Sequence, residues 1–385
     1  MKHSPLTLQY LFIFLSLASS CLVKGQSSAN LSLKFEIERS IEKGLSWLVN
    51  EQNNTGGQWG EPEYPALTAL VIRSALGSPS YSDKSEYRPA VDKGFRFILS
   101  KVQSDGGIYG KGLASYNTSI CLMALMQSKD PAYEEVIADA RKFLVNQQSD
   151  FDEKGIQDNV FDGGVGYGSR WAHSDLSNTH LAMEALYYAR KSFSSKETDG
   201  KDLDWEAAIS FVSKCQNLPL TNREEWVSSH EEDMGGFVYF PGSSMAGERD
   251  SNNGKKSLRS YGSMSYAGLL SFIYAEMDAQ DPRLIAVKNW LSNNYSIDEN
   301  PGMGPQGLFY YFHTMAKALS ISGILEIQNE SGDIIDWRRQ LGLKLINLQN
   351  PTGYWLNENG RWWERDPVLV TSYALLSLER IYFAL

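Results

Sequence analysis

Residues 174–186, SDLSNTHLAMEAL, crowd Asp175, Ser177, Asn178, Thr179 and His180 ahead of the apolar stripe Leu181, Ala182, Ala185 and Leu186. Ser174 or Asp175 suits an N-cap, but a carboxyl, an amide and an imidazole in one stretch also form an acid–base set. Residues 307–319, GLFYYFHTMAKAL, hold a second set: Tyr310, Tyr311, His313 and Lys317. His313 and Lys317 share one helical face. A lysine ammonium there disfavours the imidazolium, leaving His313 a neutral base or donor. The alternative is that His313 bonds a loop carbonyl while Lys317 reaches solvent. Asp175 and His180, five residues apart, do not face each other well on a helix. Asp366 before Pro367 reads as an N-cap with proline at the first helical position. Asp150, Asp152 and Glu153 follow a helix and read as a solvated loop. The acid–base candidates are therefore Asp175, His313 and Tyr310. Asn117 (with Tyr116 beside it), Asn178, His180, Tyr311 and Lys317 are the candidate ligand contacts.

These residues must be positioned by repeated elements. One kind of segment ends a helix with Gln, then Gly, then an aromatic: WLVNEQNNTGGQW, FILSKVQSDGGIY, FLVNQQSDFDEKGIQDNVFDGGVGY, FVSKCQNLPL with DMGGFVYF, and LINLQNPTGYW. NWLSNNYSIDENPGMGPQGLFYY is a degenerate copy. A Leu/Ala-rich helical segment with Thr or Ser follows each. Aligning Thr68, Thr118, Thr179, Ser265, Thr314 and Thr371 puts Ala or a larger apolar residue seven positions on in every copy. Six helix pairs without an obviously polar terminal repeat favour closure over an open solenoid. The expected fold is all-α, an (α/α)6 toroid with the second helix of each pair lining the centre. In it the glutamines bond helix-end backbone groups and the aromatics stack across the next turn. Asn117, Asn178, His180 and His313 would then point toward one end of a central cavity.

The 385 residues carry 36 Lys and Arg against 46 Asp and Glu, a net charge of -10. No basic stretch tracks a phosphate backbone, which argues against nucleic acid. A hydrophobic content of 42% is ample for a large core. Lys2 and His3 precede LQYLFIFLSLASSCLVKG, which reads as a secretory signal over residues 1–25. Two processing readings stay open: lipidation at Cys21, giving peripheral membrane anchoring, or a cut before Gln26 after Val23 and Gly25. Either makes the protein exported: periplasmic, extracellular or a membrane-anchored lipoprotein. Residues 33–385 then form one domain, with Cys121 and Cys215 as buried thiols rather than a disulfide framework. The segment 217–258 exceeds ordinary connections and reads as a lid or a disordered stretch. Its aromatics (Trp226, Phe237, Tyr239, Phe240) are expected to cover the cavity entrance, and GERDSNNGKKS to be mobile.

The Gln–Gly–aromatic units resemble the QW-type repeat of squalene and oxidosqualene cyclases and the related repeat of protein prenyltransferase β subunits, over about residues 33–385. The resemblance implies a single terpenoid-cyclase-like barrel, an apolar central cavity and an isoprenoid-like ligand. Prenyltransferases hold zinc with Asp, Cys and a later His. SLRSYGSMSYAGLL has no Cys and RDPVLVTSYALL no His, so neither that metal site nor any other cofactor is expected. Class II cyclases protonate an alkene with the middle acid of Asp-x-Asp-Asp-Thr. The matching stretch is Asp175-Leu176-Ser177-Asn178-Thr179, in which the outer Asp and the Thr match but the donor position is Ser177. The Gly-Cys-Gly-Glu-Gln run of complement-type thioester domains surrounds neither later cysteine. What remains is acid–base chemistry of the isomerase or lyase kind on an elongated apolar ligand. The alternative is a non-catalytic toroid that binds lipid or a protein.

Overall fold

Each Gln–Gly–aromatic segment connects two helices, and the chain folds into six helical hairpins. The computed structural model describes residues 30–82, 85–168, 173–192, 201–250 and 256–385. The expected leader, residues 1–25 with Cys21, lies outside them. Outer helices are α1 (30–51), α3 (Arg88–Leu99), α5 (Glu134–Val145), α7 (Trp205–Lys214), α9 (Pro282–Asn293) and α11 (Trp337–Leu348). Inner helices are α2 (Pro65–Gly77), α4 (Ala114–Ser128), α6 (Leu176–Ser192), α8 (Gly262–Tyr274), α10 (Leu308–Ile321) and α12 (Pro367–Ala384). Each inner helix packs on the next, and α12 returns to α2, closing the ring. Burial follows position. The outer α3 buries one stripe, Ala90, Val91, Gly94, Phe95 and Ile98 among it, whereas α8 is buried nearly all round.

The repeat residues carry the closure. Gln52 donates to Gly57 O in its own loop and to Ala90 O in the first turn of α3, both at 2.8 Å. Gln148 bridges Gly163 O and Asp204 O, and Gln216 bridges Gly235 O and Arg283 O. Gln349 donates to Gly353 O and to Ser40 O of α1, linking the last outer helix to the first. So each of these glutamines spans to the next outer helix rather than capping its own. Glycine is needed beside them: at Gly163 φ is +84°, and a Cβ would overlap the Ala207 carbonyl of α7. The aligned hydroxyls do a second job. Thr68, Thr118, Thr179, Ser265 and Thr371 accept the N–H of Trp59, Ile108, Val165, Phe237 and Trp355, all at 2.9–3.0 Å. Thr314, in the degenerate copy, instead donates to Tyr310 O and Tyr311 O.

All six inner helices start at the same end. The N-terminus of α2 donates to Asn117 of α4, that of α4 to Tyr167 O, and that of α6 to Tyr239 O. Those of α8 and α10 reach Pro301 O and Glu364, and Tyr64 meets Trp363 edge-on at 4.9 Å. The sequence reading needs adjustment in two places. Glu248–Asp250 and Lys256–Leu258 pair as an antiparallel hairpin, and so do Ile327–Gln328 and Ile334–Ile335. In the segment 217–258, Phe237 is core, pressed against α8 at Gly268, because Ser265 holds its N–H. Cys121 and Cys215 are unpaired and buried, which raises both thiol pKa values.

Candidate functional site

At the shared N-terminal end, Asp175 caps α6. Its Oδ1 accepts Asn178 N–H at 2.9 Å, and its Oδ2 accepts Asn178 Nδ2 at 2.7 Å. The Asp175 carbonyl receives Thr179 Oγ1 at 2.7 Å, and its N–H bonds Val165 O. This local capping explains why an acid sits here. It does not explain the tyrosines around it. The Tyr239 hydroxyl donates to the Tyr167 hydroxyl at 3.4 Å, and the Asp175 carboxyl acts electrostatically on both. Burial pushes the Asp175 carboxyl up to about 7, although the Asn178 groups, the Ser177 amide and Tyr239 all favour the anion. Near neutral pH this group can give or take a proton.

Ser177, two residues on, contacts the Tyr310 hydroxyl at 3.4 Å. Tyr310 stacks obliquely on Tyr373 (5.8 Å), and Tyr373 stacks face to face on His313 (5.5 Å, 21°). Tyr373 also meets the Tyr116 hydroxyl at 3.4 Å. The three acid–base candidates therefore lie along one column from Asp175 past Tyr310 to His313. Tyr116, Tyr167, Ser177, Tyr239 and Tyr310 are half-buried, and the residues deeper along the axis are closed off.

Deeper still, Lys317 Nζ bonds Glu184 Oε2 at 2.8 Å, and Arg73 Nη2 lies 3.7 Å from Glu184 Oε1. This ionic crosslink joins α10, α6 and α2. Lys317 is thus not solvated; its chain ends on a carboxylate that sequence reasoning missed. Burial would raise the Glu184 carboxyl, but Lys317 and Arg73 outweigh it and hold the pKa below the ordinary value. Burial, then Lys317, lowers His180 to about 4 and takes His313 well below its ordinary value, so both imidazoles are neutral. His180 makes no pair with Asp175; neither ring nitrogen makes a well-formed hydrogen bond, and the Ser177 and Leu176 backbone one turn back acts on the ring only weakly.

Two candidates stand apart. Asn117 spends its amide on Ala66 N–H, Leu113 O and Gly112 O, tying α4 to α2. Tyr311 turns outward, donating to Ser296 O at 2.8 Å and packing on Tyr266. Asp366 caps α12 through Val368 and Leu369 N–H, ahead of Pro367. Besides Glu184, the sequence reading passed over Glu364, which accepts the Tyr310 and Phe309 amides and Asn357 Nδ2 at the start of α10. The signal for Glu184 was present: a lone acid one turn after His180 on an otherwise apolar inner helix. Nothing in sequence pointed to Glu364.

No protein-family model matches the sequence, and no curated protein matches it. Among solved structures the chain is similar to type II terpene cyclase MstE from Scytonema in complex with geranylgeranyl dihydroxybenzoate (substrate). Identity is 11%, coverage 92% of this chain and 99% of that one, and TM-score 0.54. It is equally similar to an inactive variant of an α-1,6-mannanase of Salegentibacter sp. in complex with α-1,6-mannotriose, at 11% identity, 91% and 100% coverage, and TM-score 0.54. A protein from Actinoplanes matches at 12% identity, 90% and 99% coverage, and TM-score 0.51. Likeness at these identities establishes the fold: the chain is an α/α toroid of the kind used by terpene cyclases.

Proposed function

We propose that this toroid, exported from the cell, binds an elongated, largely apolar small molecule of the isoprenoid class at its tyrosine-lined end, and that Asp175 exchanges a proton with it. The carrying observation is the buried Asp175 carboxyl, raised to about 7 and fixed by Asn178 beside half-buried tyrosines. An acid of that strength is too weak for direct alkene protonation. It suits general acid–base transfer to an oxygen function of the ligand. Ser177 at the position where cyclases keep their donor argues the same way. The terpene cyclase of like fold, solved with geranylgeranyl dihydroxybenzoate, supports the ligand class by analogy of fold alone.

A second reading, saccharide binding, is favoured by Trp362 and Trp363. They stand 43% and 54% exposed at the same end, both at positive φ (54° and 67°). Non-glycine residues in that region are sparse and cluster at ligand sites. Glycoside hydrolysis is less well served, because it needs two free carboxyls. The groups acting most on Asp175 are Asn178, Ser177 and Tyr239, and Glu364 is committed to the amides of α10.

The test is mass spectrometry of lipids extracted from the purified protein, with thermal-shift measurements against isoprenoids and α-mannosides. Isoprenoids should raise Tm, and Asp175→Asn should keep that shift while abolishing turnover. If no lipid co-purifies and no isoprenoid shifts Tm, the ligand reading is wrong. A shift with α-mannosides alone would select the second reading. Binding without turnover by the wild type would leave a carrier in place of an enzyme.

A further inference from the structure

The centre of the barrel holds polar groups that the proposed proton transfer does not use. Glu184 lies one turn beyond His180 on α6, and Lys317 one turn beyond His313 on α10. The 2.8 Å bond between Glu184 and Lys317 turns those two faces toward each other. The two imidazoles therefore approach across the axis one turn nearer the tyrosine-lined end. Around this crossing, buried polar atoms on three helices have no hydrogen-bond partner: both ring nitrogens of His180, Nδ1 of His313, Nε of Arg73 and Oε1 of Glu184. Buried polar groups are ordinarily paired, and although Glu184 Oε1 faces Arg73 at 3.7 Å and the Leu176 and Ser177 backbone lies near His180, the crossing remains under-satisfied.

The charges there do not balance either. Arg73 and Lys317 converge on the single carboxylate of Glu184, and Arg380 acts on both Lys317 and His313. Burial pushes the remaining acid, Glu379, toward its uncharged form and lowers Lys317 to about 8, which leaves it mostly protonated at neutral pH. Excess positive charge out of water is costly unless an anion accompanies it. Among the described residues no three His, Cys, Asp or Glu side chains converge as a metal would require. The imidazole pair beside two cations suits an anion instead.

We propose that the crossing of α2, α6 and α10 binds an anionic group, a carboxylate or phosphate, through His180, His313, Lys317 and Arg73. Each neutral imidazole offers one N–H, Lys317 has protons beyond the one given to Glu184, and the Arg73 Nε–H is free of partners. Glu184 holds Lys317 and Arg73 in register. Asp175 precedes His180 by five residues of helix, about 7 Å of rise. A ligand with its apolar body at the tyrosine end could thus reach the site with an acidic head. This assignment deepens the reading of the function and rests on it only for the source of the anion, since a free anion could fill the same site.

The experiment compares farnesoic acid with farnesol, which share one carbon skeleton, by calorimetry. Inorganic phosphate and acetate are assayed by thermal shift at constant ionic strength. The wild type should bind the acid at least about tenfold more tightly than the alcohol. In His180→Phe and Lys317→Met the acid should fall to within about twofold of the alcohol. Should Lys317→Met fail to fold, the wild-type comparison and His180→Phe decide alone. Competition of phosphate or acetate with the acid would show that head group and free anion share the site. If neither farnesyl compound binds yet phosphate or acetate raises Tm in wild type and not in His180→Phe, the isoprenoid reading falls and the anion site stands. Equal affinity for acid and alcohol with no response to phosphate or acetate overturns the proposal. So does an acid preference that survives both substitutions.

Discussion

Asp175→Asn should stabilise this protein at alkaline pH and slightly destabilise it at acid pH. Folding moves the carboxyl from 3.8 to about 7 because burial disfavours its charge. That rise is roughly three pH units, about 4 kcal/mol at 1.36 kcal/mol per unit. The folded state holds this proton more tightly than the unfolded chain does. Wild-type stability is therefore full below about pH 4 and drains away as pH rises toward 7, with little further loss above pH 8. An amide has no charge to bury. It can still cap α6, since Asn serves as well as Asp there and one side-chain oxygen remains for Asn178 N–H. The second bond, from Asn178 Nδ2, would be lost, but Asn178 Oδ1 has no partner. A flipped Asn178 amide could accept from the new one. Allowing about 1 kcal/mol for imperfect geometry at every pH, the variant should gain about 3 kcal/mol at pH 8.5 and lose about 1 kcal/mol at pH 4. Guanidinium unfolding at pH 4, 7 and 8.5, with wild type alongside, reads the difference. A stability change that is the same at all three pH values would refute the reasoning, as would destabilisation at pH 8.5. Loss of turnover with gain of stability would mark Asp175 as a group kept for function.

Lys317→Met leaves Glu184 buried with only the more distant Arg73, and should cost about 3–5 kcal/mol; Lys317→Met with Glu184→Gln should recover most of that in a double-mutant cycle followed by chemical denaturation. Gly163→Ala must overlap Ala207 O at φ +84°, whereas Gly155→Ala, at φ +80° with nothing nearby, meets only the backbone penalty; thermal melts should show roughly 3 kcal/mol or more lost at the first and about 1 kcal/mol at the second. Thr371→Val strands the buried N–H of Trp355 and should cost about 1–3 kcal/mol by denaturant titration. Gln349→Ala removes the donor that ties α11 to Ser40, and hydrogen exchange should then rise first in α1.

Much of the fold was legible because its key interactions are short in sequence and repeated. Thr179 reaches Val165, and Gln148 reaches Gly163, across 14 and 15 residues. Five copies share the Thr or Ser acceptor and four the Gln bridge, Gln103 bonding Lys101 O and Tyr109 O instead, so the same residue types recur at the same places. The capping of α12 by Asp366 was readable for the same reason: its partners are two and three residues away. The candidate site was only partly readable. Asp175, Ser177 and Asn178 stood out as polar residues at a helix start. Tyr167 did not, since it looks like any other aromatic after a glycine, and Tyr239 was read only as one of several aromatics over the cavity entrance. Asn117 and Tyr311 looked available as ligand contacts because sequence does not show which hydrogen-bonding groups are already used.

By itself, the order of residues determined that six helix pairs form, which helix of each pair is inner, and that position 177 is a serine rather than an acid. Periodicity, turn glycines and side-chain type settle these within one repeat. The ionic centre was decided only by closure of the ring. Lys317 and Glu184 are 133 residues apart, and Glu364 reaches the start of α10 across 54. Such pairs depend on which helices become neighbours and how each is rotated about its axis. The packing of all six inner helices fixes both at once. The same closure removes Asp175 from water, and so converts an ordinary helix cap into a carboxyl that titrates near neutral pH.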